Sequence, residues 1–243
     1  MLLRRLSLES HLNEEFDESV SPRNNSRKTV KTPEAASPPR IVGGTLRGRL
    51  LPFSPDGRTR PMKDRVRETL FDLIGPEIVG AIAIDLFAGS GSLGFESISR
   101  GASKAIFAER HFPTSDLIEK AAITLGISQS VTVKAGNVLL WSKQMPVLDT
   151  SARWIVFFSP PWSFFTEKTD EMMALVRAML LAAPRGSLLV VEADENFDPQ
   201  HLPSPHRWNL RTIRPAVLYF YGVHNEDSAE ADSPASFPDS TEH

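Results

Sequence analysis

Apolar residues recur along this chain in two rhythms. Between positions 64 and 74, Val66, Leu70, Leu73 and Ile74 fall on one helical face, with Arg65, Arg67 and Glu68 on the solvated side. Gly75-Pro76 stops that helix. Beyond it, short apolar runs at 81–87, 104–108, 131–134, 154–158 and 187–192 read as strands. Helical patterns at 93–100, 115–125 and 168–183 lie among them, ended by Gly101, Gly126 and Pro184 with Gly186. Short buried strands alternating with helices predict an α/β fold with a mostly parallel sheet covered on both faces. The segments 208–213 and 216–221, either side of Arg214-Pro215, predict a closing antiparallel hairpin.

The ends lack this rhythm. Residues 1–39 are rich in Ser, Pro, Asn and charge and are expected to be a disordered tail; residues 223–243 are expected to be a second, acidic one. Residues 40–76 read as an N-terminal arm, extended or a small hairpin, followed by the first helix, and 77–222 as the main domain. A hydrophobic share of 41% in 243 residues is enough for a core. The net charge of -3 hides a strong asymmetry. From Arg40 to Leu70 there are eight Arg or Lys against three acids, whereas 223–243 hold six acids and no Lys or Arg. There are no cysteines, which excludes disulfides and thiolate metal sites and suits a reducing cytoplasm. No apolar run reaches the roughly 18 residues needed to span a bilayer, and the start, Met1-Leu-Leu-Arg-Arg-Leu, is not expected to be a secretory signal.

Candidate chemistry begins at Asp85-Leu-Phe-Ala-Gly-Ser-Gly-Ser-Leu-Gly94, which follows the first strand and opens a helix. Gly89 and Gly91 let the backbone turn sharply and approach a ligand; Gly94 lets the helix pack close to the sheet. No Lys-Ser/Thr pair follows, which disfavours a phosphate cradle. Asp85 suits a cationic ligand, a sulfonium-bearing amino acid, better than a pyrophosphate. Glu109, about 20 residues beyond the glycines, is placed to accept a ribose diol. Asn137, after the third strand, is placed to meet an adenine edge. The candidate cofactor contacts are therefore Asp85, Phe87, Ala88, Gly89, Ser90, Gly91, Glu109 and Asn137. Nicotinamide enzymes use glycine loops too, so this loop leaves methyl and hydride transfer open.

The second candidate is Ser159-Pro160-Pro161-Trp162, after the fourth strand and so at the carboxyl edge of the sheet. An amine on a nucleobase is a poor nucleophile, because its lone pair is delocalised into the ring. The Ser159 hydroxyl and the Pro160 carbonyl can accept its two N–H bonds and favour a pyramidal nitrogen. Two prolines stiffen the loop and leave carbonyls free. Trp162 offers a face on which an extruded base can stack. No His/Asp/Glu cluster offers a metal site. Trp154, Phe157 and Phe158 read as core.

Together with Arg40-Ile-Val-Gly-Gly-Thr-Leu-Arg-Gly-Arg and Thr59-Arg-Pro-Met-Lys-Asp-Arg-Val-Arg-Glu-Thr-Leu-Phe, these loops occur in a familiar order. From about Arg40 to Tyr221 the chain resembles the bacterial 16S ribosomal RNA (guanine-N2)-methyltransferases, the RsmD-like group. The resemblance implies a Rossmann-like class I methyltransferase fold with a C-terminal hairpin. It implies S-adenosylmethionine as cofactor and, as substrate, a guanine N2 amine of 16S rRNA in the small subunit or its assembly intermediate. A metal-free, cytoplasmic monomer is expected. The basic arm, with Arg47, Arg49, Arg60, Arg65 and Arg67, is expected to pair with RNA phosphates. Three positions depart from the family pattern: Ser159 stands where Asp or Asn is usual, Trp162 where Tyr or Phe is, and His111 where an acid is. Ser159 also resembles the cytosine-N4 methyltransferases. A cytosine-N4 or adenine-N6 enzyme and an RNA-binding paralogue with weakened turnover are therefore the alternatives.

Overall fold

The computed structural model describes residues 38–53 and 62–224. Apart from residues 38–39 and 223–224, the expected tails lie outside the described residues, and so does Arg60. The apolar runs form strands β1 (Ile82–Asp85), β2 (Lys104–Glu109), β3 (Val131–Ala135), β4 (Trp154–Phe158) and β5 (Leu188–Asp194). The closing hairpin is β6 (Asn209–Ile213) with β7 (Ala216–Gly222). The seven strands lie in the order β3-β2-β1-β4-β5-β7-β6, parallel except for the antiparallel β7 and its pairing to β6. This is the doubly wound arrangement with a terminal hairpin that the pattern predicted.

Strand parity explains the layers. Ile82, Ile84, Trp154, Val156 and Phe158 point to one face, where α5 (Thr169–Ala182) covers them with Met172, Leu175, Val176 and Met179. Ala83, Phe107, Ile155 and Phe157 point to the other. There α1 (Asp64–Ile74), α2 (Ser92–Ser99) and α3 (Phe112–Thr124) pack. A short helix, α4 (Phe164–Glu167), follows the second candidate loop and was not foreseen. The third helix starts at Phe112 rather than 115 because Pro113 is tolerated in a first turn, where its missing N–H breaks no bond.

The first helix corrects the sequence reading. Its buried stripe is Val66, Arg67, Leu70, Phe71 and Ile74, and Leu73 is exposed. Phe71 takes the inward place and meets the Phe157 ring at 5.7 Å. Arg67 was assigned to the solvated side and is 0% exposed. Its Nη2 donates to the Arg40 carbonyl at 2.5 Å and to Asp64 Oδ1 at 2.9 Å, and its Nη1 to the Met62 carbonyl at 3.1 Å. Glu96 on α2, also 0% exposed, stands 3.7 Å from its Nε and accepts the Val42 N–H at 2.7 Å. An arginine is buried here because a buried glutamate and three carbonyl or carboxylate acceptors meet it.

The arm makes a single antiparallel bridge, Arg40 to Leu50, rather than a full hairpin. Its turn docks on the end of α2: the Thr45 N–H donates to the Ser99 carbonyl at 2.7 Å and the Leu46 N–H to Ser99 Oγ at 2.9 Å. Gly44 has φ +73, and a Cβ there would sit 1.9 Å from the Ser99 oxygen. The paired glycines of the arm thus serve its docking.

Candidate active site

The carboxyl ends of β1, β2, β4 and β5 converge on one cleft of about 670 Å³. Both candidate loops line it, from opposite sides of the gap between β1 and β4. On the β1 side the backbone turns through Gly89 at φ +51 and Gly91 at φ +73, the latter capping α2. Gly94 packs as expected: a Cβ there would lie 2.3 Å from the Phe107 ring on β2.

Glu109 ends β2 and its carboxylate is held by backbone. Oε2 accepts the Gly89 N–H at 2.8 Å and Oε1 accepts the His111 N–H at 2.8 Å. Each oxygen keeps a second lone pair for a ligand on the cleft side. Asp85 lies beneath the loop, buried, with Oδ2 accepting the Gly94 N–H at 3.3 Å and Oδ1 without a hydrogen-bond partner. Burial pushes its carboxyl up to about 7, against the pull of the Gly94 N–H and with added repulsion from Glu109. A cation bound above it would restore its charge. His111 precedes α3, and its Nδ1 lies 2.8 Å from Thr114 Oγ1; both residues line the cleft. Asn137 lines it too, with Oδ1 accepting the Leu139 N–H at 3.1 Å to cap the turn Val138–Ser142. Among the described residues its amide nitrogen makes no hydrogen bond.

Across the gap, Ser159 follows β4. The Pro161 carbonyl accepts the Phe164 N–H at 2.9 Å and the Trp162 carbonyl accepts the Phe165 N–H at 3.1 Å, which folds the loop into α4. The Pro160 carbonyl accepts no backbone bond among the described residues, as the acceptor role needs. Trp162 is half-buried on the cleft wall. Phe164 beside it lies edge-on to Phe87 at 6.2 Å and carries Lys168 and Arg110 near its ring. Trp154, Phe157 and Phe158 are core, as read.

Two residues escaped the sequence reading. Glu96 anchors the arm as described. Glu192, on β5, is 8% exposed, lines the cleft, and accepts the Ser159 hydroxyl through Oε2. Burial raises its carboxyl above the ordinary value, and the Ser159 hydrogen bond opposes that shift. A lone acid inside Leu188-Leu-Val-Val-Glu192 was the available signal. Of the basic residues, Arg47, Arg49 and Arg65 are exposed. Arg67 is not available to RNA, because its guanidinium is spent inside the protein.

The family model described as conserved hypothetical protein 95 matches residues 39–216. Over 201 residues the chain is 33% identical to the ribosomal RNA small subunit methyltransferase D of Haemophilus influenzae, covering 81% of this chain and 98% of that one. The chain belongs to this methyltransferase D family. Its Escherichia coli K12 relative of the same name is 34% identical over 192 residues, covering 78% of this chain and 90% of that one. A solved structure from Escherichia coli, the methyltransferase candidate yhhF, superposes with a TM-score of 0.63 at 30% identity, over 77% of this chain and 99% of that one. The fold is the Rossmann-like methyltransferase fold of this family. Among the described residues, no group of three or more His, Asp or Glu is placed to hold a metal ion, and no helix is long and apolar enough to cross a membrane.

Proposed function

We propose that this chain transfers the methyl group of S-adenosylmethionine to the exocyclic N2 amine of a guanine in 16S rRNA. Membership in the methyltransferase D family supports methyl transfer to ribosomal RNA. The single observation that carries the reading is the shared cleft, with the glycine loop on one side and Ser159-Pro160-Pro161-Trp162 on the other.

The residues fit the donor. Asp85 offers a buried carboxylate with an orphaned oxygen, suited to a cationic group above it. Glu109 is pinned by two N–H groups with lone pairs left for a ribose diol. Gly89 brings backbone to the ligand without a Cβ, whereas Gly91, expected to do the same, lies outside the cleft lining and caps α2, where a Cβ would meet the Phe95 ring at 2.8 Å. When bound, S-adenosylmethionine supplies an activated methyl group on a sulfonium. The protein's part is positioning. Ser159 Oγ is free to accept an N–H because its own proton is committed to Glu192. With the Pro160 carbonyl it turns the nitrogen lone pair out of the base ring. Trp162 and Phe164 exclude water and offer a stacking face. Arg47, Arg49 and Arg65 contact phosphates and hold register.

The test is to incubate the protein with labelled S-adenosylmethionine and unmethylated small subunits, then digest the RNA. N2-methylguanosine is the expected product. Label in N4-methylcytidine or N6-methyladenosine would replace this reading with the one that Ser159 by itself suggests.

A further inference from the structure

In the chemistry above Glu192 only takes the Ser159 proton through Oε2, and its other oxygen has no role. Its place follows from strand order. Along the carboxyl edge come Glu109 on β2, Asp85 on β1, Ser159 after β4 and Glu192 on β5. Strands lie about 4.8 Å apart, so Glu192 stands three spacings, roughly 14 Å, from Glu109. The donor side of the cleft lies over β2 and β1. What remains over β4 and β5 is the side for the base.

There the acceptors are paired. Glu192 Oε2 receives the Ser159 hydroxyl, and Oε1 accepts no hydrogen bond among the described residues. A carboxylate held on one oxygen and open on the other at a cleft wall is an oriented acceptor for a ligand donor. Beside that oxygen stands Ser159 Oγ, whose proton is already given away. Ser159 and Glu192 thus present two adjacent acceptors. On the Watson–Crick edge, guanine shows N1–H and N2–H side by side. Adenine and cytosine show a ring-nitrogen acceptor beside the amine, and a carboxylate repels that lone pair.

We propose that Glu192 is the specificity-determining residue for the base: its Oε1 receives N1–H of guanine while Ser159 Oγ receives the neighbouring N2–H. The Pro160 carbonyl takes the other N2–H. This rests on the guanine-N2 reading and adds how guanine is told from other amino bases. It also accounts for a serine at the head of the loop. Ser159 brings no charge of its own, and the charge comes from the next strand, through a partner 33 residues away.

The experiment uses small subunits whose target guanine is replaced by 2-aminopurine. That base keeps the N2 amine but has an acceptor at N1. The full-length wild-type chain should prefer guanine by about 100-fold or more, because a site built for a donor rejects an acceptor strongly. In Glu192→Gln the guanine rate should fall about tenfold or more. The preference should shrink to within roughly threefold, because the amide N–H can now donate to N1 of 2-aminopurine. Glu192→Asp keeps the charge, and should keep the preference at a lower rate. Equal losses on both bases in Glu192→Gln, an unchanged guanine rate there, or a lost preference in Glu192→Asp would each overturn the proposal while leaving guanine-N2 methylation standing. Absence of N2-methylguanosine with wild-type protein on guanine subunits would take down both. Melting temperature and S-adenosylmethionine affinity, measured on each variant, separate a folding defect from a change in base choice.

Discussion

Replacing Asp85 with Asn removes a charge that the fold holds at a cost. The carboxyl has a folded pKa of about 7 against its usual 3.8, chiefly through burial. Between those values the folded protein keeps a proton that the unfolded chain has lost, so stability falls as pH rises from about 4 to about 7 and is flat above it. Each pH unit is worth about 1.4 kcal/mol, so the carboxylate destabilises the ligand-free protein by up to about 4 kcal/mol at pH 8. At pH 5 the cost is roughly 1.5 kcal/mol. The Asp85→Asn amide can still accept the Gly94 N–H, and it places an NH₂ where Oδ1 has no partner, a penalty of about 1 kcal/mol that does not vary with pH. Urea unfolding of both proteins at pH 5 and pH 8, without ligand, isolates the group, because other titrations cancel in the difference. The advantage of Asp85→Asn over wild type should grow by about 3 kcal/mol between pH 5 and pH 8. A difference that stays constant across those two pH values would refute the reasoning. The same variant should bind S-adenosylmethionine more weakly, since the cation loses its counter-charge.

Ser159→Ala should lower kcat about 100-fold, as expected for loss of a contact that acts on the reacting amine, and calorimetry should find S-adenosylmethionine affinity unchanged; an undiminished rate would remove Ser159 from the acceptor role. Arg67→Ala should destabilise the protein by about 2–4 kcal/mol in denaturant titrations, because the Arg40 and Met62 carbonyls and Asp64 lose their donor and a buried side chain leaves a cavity, while Glu96 keeps Arg100 Nε at 2.8 Å. Arg65→Ala should change stability by less than about 0.5 kcal/mol. It should instead flatten the slope of log affinity for small-subunit RNA against log salt by about 1; an unaltered slope would take Arg65 out of the interface. Gly94→Ala should cost about 1–3 kcal/mol, read as a lower urea midpoint, since its Cβ would meet Phe107 at 2.3 Å.

The cleft was legible in part because its two loops announce themselves locally. Glycines at 89, 91 and 94 after an apolar run, and two prolines after another, are conformational facts of the chain itself. The strand runs are equally local: burial on both faces favours continuous apolar residues, and β1 and β4 are buried at every position and apolar at all but Asp85. Charged residues were harder, because hydrophobic periodicity assigns every arginine to the solvent side. Arg65 obeys that rule. Arg67, two residues on, breaks it because α2 happens to bring Glu96 to it and the arm brings carbonyls. The arm motif reads in sequence as an RNA contact, yet much of it serves docking: Gly44 approaches Ser99, and the Val42 N–H donates to Glu96.

The sequence by itself determined the elements, the parallel sheet and the two loops at its carboxyl edge, because these depend on residue type and near neighbours. Which charges face one another depended on packing between distant segments. Only the adjacency of β4 and β5 joins Ser159 to Glu192, and only the crossing of α1 and α2 buries Arg67 against Glu96. A strand's own residues specify that it is buried; its neighbours specify what its buried acid will meet.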